Sequence, residues 1–101
     1  MKCPDDDLKA VLVAAYQVLG SKPNMHVPAE YIRKKLKDED VKALFPKCLD
    51  QLVKKGYVQK HPTGGNMTYT LTECGNRIAQ TLISEGDIKI DWKTRCEQNL
   101  S

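Results

Sequence analysis

The chain has 101 residues, 41% of them hydrophobic and 29% charged, with a formal net charge of +3. That length suits one domain with one modest core and leaves no room for a second catalytic lobe. No apolar run approaches the roughly 18 residues of a membrane span, and the opening MKCPDDDLK lacks the apolar stretch of a signal peptide. These features imply a soluble, cytoplasmic protein with no membrane partner.

A first helix is expected to start near Asp5 to Asp7, where acidic side chains suit the positive end of the helix dipole. Leu8, Val11, Leu12, Ala15, Tyr16 and Leu19 recur at helical spacing, Gly20 stops the run, and Ser21 to Asn24 read as a turn. Met25-His26-Val27 reads as a short extended segment before Pro28. Pro28 opens a second helix, AEYIRKKL, with Tyr31, Ile32 and Leu36 inward and Arg33, Lys34, Lys35 and Lys37 outward. The trio Asp38-Glu39-Asp40 is expected to end it and to cap a short turn through Leu44.

A proline deep in a helix costs about 3 kcal/mol, so the third helix is expected to begin at Phe45 or Pro46. Phe45, Leu49, Leu52 and Val53 would face the core, with Lys47, Cys48, Asp50, Gln51, Lys54 and Lys55 on the other sides. Gly56 ends this helix. Two strands follow, Tyr57–His61 and Met67–Leu71, joined through Pro62-Thr63-Gly64-Gly65-Asn66, where glycines and an asparagine supply positive φ. Thr72 is the expected N-cap of a fourth helix whose apolar face is Ile78, Ala79, Leu82 and Ile83, ending at Gly86. Residues 87–101 read as a C-terminal arm or partly disordered tail after a domain spanning 1–86. Ile88, Ile90 and Trp92 alternate there as in a strand, and little apolar anchorage follows Thr94.

Charge is unevenly spread. From Ala29 to His61, nine cations face five anions, an excess of +4, so the remainder carries −1. Nucleic-acid binding asks for such a skew, and a solvated lysine-rich helix face is the plainer account. Cys3, Cys48, Cys74 and Cys96 are scattered with no C-x-x-C pair, which implies reduced thiols, no metal and no cofactor. Cys74 falls in the first turn of the fourth helix, where a thiol's pKa is lowered; it is the candidate redox thiol, or else a small apolar residue under the hairpin. Cys48 carries the same two readings. His26 and His61 bracket the sheet without a paired nucleophile, and no phosphate-binding glycine motif is present, so the chain does not read as an enzyme.

The segment Leu49 to Leu82 resembles winged helix-turn-helix regulators of bacteria and archaea. The resemblance is carried by L-x-x-L-x-x-K-G-Y-V at Leu49, Leu52, Lys55, Gly56, Tyr57 and Val58. It continues with the glycine pair Gly64-Gly65 and closes with Y-x-L-T-E-x-G at Tyr69, Leu71, Thr72, Glu73 and Gly75. One-domain regulators of the multiple-antibiotic-resistance and phenolic-acid-repressor types carry a similar signature. The resemblance implies an α+β, mostly α fold: a three-helix core, a short β-hairpin wing, a fourth helix and a C-terminal tail. It implies a dimeric transcription regulator whose third helix enters the DNA major groove, with Lys47, Asp50, Gln51 and Lys54 as readers. Arg33, Lys34 and Lys37 would contact the phosphate backbone, and the wing, with Lys60 and Asn66, would approach the minor groove. The wing tip itself, PTGGNMT, carries no lysine or arginine. A module that docks a protein instead of DNA, with Trp92 as an anchor, is the alternative.

Overall fold

The computed structural model describes residues 3–20, 22, 24–86 and 88–100. The expected turn at Ser21–Asn24 and the start of the tail at Asp87 fall partly outside these residues. The fold is α+β and mostly helical, with four α-helices and a three-stranded antiparallel sheet among the described residues.

Helix α1 (Asp5–Leu19) carries its three aspartates in the first turn and buries Leu8, Val11, Leu12, Ala15 and Leu19. The short strand β1 (Val27–Pro28) leads directly into α2 (Ala29–Arg33). Helix α2 is shorter than its periodicity implies. Lys35 and Leu36 instead donate three residues back, to the Ile32 and Arg33 carbonyls, and this tight turn still buries Leu36. Tyr31, expected inward, is 52% exposed, with the Lys34 ammonium 5.9 Å from its ring centroid.

Helix α3 runs from Glu39 to Lys54 and corrects two expectations. The acidic trio starts this helix rather than ending the previous one: the Asp38 carboxylate accepts the Asp40 N–H at 2.8 Å, and Glu39 and Asp40 occupy the first turn. Pro46 therefore lies inside the helix, where it deprives the Lys42 carbonyl of its usual donor. The longer helix offsets that loss by burying Val41 on the same face as Phe45, Cys48, Leu49 and Leu52. Cys48, expected on an outer side, is fully buried.

Strands β2 (Val58–Thr63) and β3 (Asn66–Leu71) form a hairpin, and β1 pairs on the far side of β3, giving the order β1-β3-β2. The turn is tighter than expected, with Gly64 and Gly65 alone at its tip and both at positive φ. Helix α4 (Glu73–Glu85) is capped by the Thr72 hydroxyl, which accepts the Gly75 N–H at 2.9 Å. Its first turn presses on the sheet so closely that a Cβ on Gly75 would stand 2.0 Å from the Tyr57 carbonyl oxygen. The core joins α1, α3 and α4 beneath the sheet, with Tyr57 and Val58 fully buried at its edge.

The tail departs most from expectation. Residues 88–95 form no strand, and Cys96–Asn99 form a 3-10 helix. Far from hanging free, this segment is bonded to the body by a Cys74–Cys96 disulfide with the Cα atoms 6.1 Å apart. The expectation of four reduced thiols is thus corrected: Cys3 and Cys48 are free and buried, and the other two are joined.

Candidate functional site

The outward stripe of α3 follows from its buried one. With Val41, Phe45, Cys48, Leu49 and Leu52 turned inward, the 3.6-residue repeat sends Ala43, Lys47, Asp50 and Lys54 to the opposite side. Lys47 and Lys54 are exposed, and Asp50 and Gln51 are half-buried. Lys54 pairs with Asp50 at 3.4 Å, one turn back, so the carboxylate on this face is partly neutralised by its own helix.

Two depressions flank this stripe. One, of about 320 Å³, lies between α2, α3 and the hairpin and is lined by Arg33, Pro46, Leu49, Asp50, Lys60 and Tyr69. The register explains Lys60: it stands opposite Tyr69, on the sheet face turned toward the helices. The other, of about 640 Å³, is a groove between α3 and the tail. Lys47, Asp50, Gln51 and Lys54 line it on one side, and Asp91, Trp92 and Lys93 on the other.

The structure thus brings Arg33, Lys47, Asp50, Gln51, Lys54 and Lys60 together around one helix. It does not bring Lys34, Lys37 or Asn66 there. Lys34 sits at the Tyr31 ring. Lys37 borders a depression between α1 and α4, and Asn66 stands at the hairpin end opposite Thr63.

Compared with known protein families, curated proteins and solved structures, the chain matches none. The residues and their geometry therefore carry the functional reading alone.

The tail wall of the groove was illegible in the sequence, and its anchors are specific. Arg95 donates to the Lys54 carbonyl at 3.2 Å and the Cys96 N–H to the Lys55 carbonyl at 2.8 Å. The Lys54 carbonyl closes α3 and the Lys55 carbonyl belongs to its C-cap, so neither has a partner within the helix. The Lys55 ammonium donates in return to the Lys93 carbonyl at 3.0 Å. Trp92 packs on Tyr57 with ring centroids 5.2 Å apart and donates its indole N–H to the Asp5 carboxylate. Burial works to raise the Asp5 pKa, but the hydrogen bonds from Trp92 and Lys9 outweigh it and hold the carboxyl below its ordinary value. Burial pushes the Tyr57 phenol up to about 12, although the Asn99 amide donates to its oxygen at 2.9 Å.

Neither reactive-thiol reading survives, while Cys48 is the small buried residue of the alternative reading. Cys74 is disulfide-bonded, so the first turn of α4 presents no free thiol. Burial, followed by the adjacent Cys3 thiol, drives the Cys48 pKa far upward, which makes that sulfur inert rather than reactive. His26 and His61 stack with centroids 4.0 Å apart across the outer face of the sheet. No group of three metal-ligating side chains surrounds them or any other point among the described residues. No described helix is long and apolar enough to cross a membrane.

Proposed function

We propose that the chain is a winged helix-turn-helix regulator that binds double-stranded DNA with α3 in the major groove. The observation that carries this reading is the outward stripe of α3. Its cations, Lys47 and Lys54, stand clear of the core, and Arg33 of α2 and Lys60 of β2 flank the same helix. The order α1-β1-α2-α3-β2-β3-α4 supports it, with the hairpin following α3 and β1 completing the sheet.

Gln51 pairs bidentately with adenine and Lys47 donates to guanine O6 and N7 in this proposal. Arg33, Lys54 and Lys60 take phosphates, which position the protein without reading sequence. Two copies bind two half-sites about one helical turn apart, and the exposed Ile83 of α4 offers apolar surface for their contact.

The test is a pair of substitutions in a competition assay over many duplex sequences. Gln51→Ala should relax sequence preference by about 1–3 kcal/mol at one position, and Arg33→Ala should weaken all sequences alike. Equal, sequence-blind losses for both would remove α3 from the role of reader.

A second reading is favoured by one observation. The hairpin tip, Thr63 to Asn66, carries no cation to enter a minor groove, and Trp92 lies half-exposed beside α3. In that reading the α3–tail groove docks a protein segment, and duplex DNA is not retained at any salt concentration.

A further inference from the structure

Half of the groove beside α3 belongs to the tail, and its charges can be followed individually. Lys47, Lys54, Lys55 and Lys93 line it with Asp50 and Asp91. The Asp50 carboxylate is engaged by Lys54 at 3.4 Å. The Asp91 carboxylate accepts the backbone N–H of Lys93 at 3.0 Å. The Lys55 ammonium is occupied by the Lys93 carbonyl at 3.0 Å. That leaves the ammonium groups of Lys47 and Lys93, one on each wall, with no ion pair among the described residues. A polyanion lying along α3 meets both.

Lys93 owes its position to the tail's anchorage. The Asp91 turn, Trp92 on Tyr57, and the bonds of Arg95 and Cys96 to the α3 carbonyls set its direction. The Lys55 ammonium on the Lys93 carbonyl and the Trp92 indole on the Asp5 carboxylate add two charge-assisted bonds, and each of these contacts alone contributes only a few kcal/mol at most. The Cys74–Cys96 bond is the one covalent tie, joining the first turn of α4 to the 3-10 helix just beyond Lys93. A depression of about 380 Å³ lined by Thr72, Glu73, Cys74, Arg77 and Glu97 reaches Cys74 from solvent, while Cys96 is fully buried behind it.

We propose that the tail is a working part of the DNA-contacting face. Lys93 supplies a phosphate contact beside Lys47 and Lys54, and the Cys74–Cys96 bond holds it there, so that a dithiol reductant weakens DNA binding. The inference rests on the reading of α3 as the DNA-contacting helix. A reductant thiolate attacks the sulfur of Cys74 and Cys96 leaves as a thiolate that takes a proton. The second reductant thiol then resolves the mixed disulfide. The chain gains two thiols and the reductant becomes a disulfide.

The test is the salt dependence of duplex binding for the full chain, wild type and Lys93→Gln. One phosphate contact contributes a slope of about 0.9 in log affinity against log salt. Between 50 and 200 mM salt, Lys93→Gln should therefore lose about 3.5-fold less affinity than wild type for each subunit bound, alike for all sequences. Cys74→Ala/Cys96→Ala should match Lys93→Gln. Dithiothreitol should move wild type to the same behaviour and leave the double variant unchanged. Circular dichroism is recorded on the double variant and on reduced wild type: a changed slope with the fold retained supports the clamp, and unfolding of either overturns it, since the bond would then hold the whole chain and not the tail alone. A wild-type slope for Lys93→Gln overturns the contact, and an unshifted wild type under verified reduction overturns the clamp. Absence of any wild-type binding instead refutes the underlying DNA reading.

Discussion

Removing the Cys74–Cys96 bond should cost more stability than any single hydrogen bond of the tail. The bond closes a loop of 22 residues. In the chain-entropy treatment, freeing a loop of that length returns about 11 cal/mol/K to the unfolded state, or about 3 kcal/mol at 25 °C. A chain of 101 residues unfolds with an entropy of about 0.2 kcal/mol/K near its midpoint, so the expected drop in Tm is about 15 °C. The assay is calorimetric melting of wild type and Cys74→Ala/Cys96→Ala in the same buffer, each with and without dithiothreitol. Reductant should lower the wild-type Tm to that of the double variant and leave the variant alone. Cys3 and Cys48 are free, so they give reductant nothing further to break. A shift below about 4 °C would refute the reasoning, since the loop would then be no freer without the bond than with it.

Three further outcomes follow from individual contacts. Gly75→Ala places a Cβ 2.0 Å from the Tyr57 carbonyl oxygen, a backbone atom that cannot swing away, and should cost about 3 kcal/mol in denaturant unfolding. Pro46→Ala restores a donor for the Lys42 carbonyl inside α3 and should raise stability by about 1–3 kcal/mol; a loss would mean that the helix depends on its proline. Tyr57 keeps its proton up to about pH 12 in the folded chain, above its unfolded value of about 10, so its contribution is intact below pH 10 and fades between pH 10 and 12. Phenolate absorbance during an alkaline titration should show one of the four tyrosines ionising late, and Tyr57→Phe should abolish that step.

Local signals in the sequence located most of the elements. The spacing of Leu8, Val11, Leu12, Ala15 and Leu19 gave α1, the glycine pair gave the hairpin, and Thr72 gave the start of α4. Such signals work because they act within a few residues. The start of α3 differs from expectation because a local rule meets a tertiary effect. Pro46 argues against a helix through it, and the burial of Val41, a tertiary effect, with the Asp38 cap, outweighs that rule. The outward stripe at Lys47, Asp50 and Lys54 was legible because it is the complement of the buried face. The tail was not. Its anchors join Cys96 to Cys74, Trp92 to Asp5 and Asn99 to Tyr57, pairs separated by 22, 87 and 42 residues, and no spacing rule reaches that far. The free-thiol reading of Cys74 failed for the same reason, since a disulfide partner is set by folded proximity.

The most direct measurement is titration of the wild-type chain into fluorescent duplex fragments of genomic DNA at about 50 and 200 mM salt. Phosphate contacts from Arg33, Lys54, Lys60 and Lys93 would give a slope near −3.6 for each subunit, a loss of about 150-fold over that range. The account predicts tight binding to a subset of fragments that weakens this steeply. No retention of any fragment at the lower salt would contradict it and leave the α3–tail groove as a protein-docking surface.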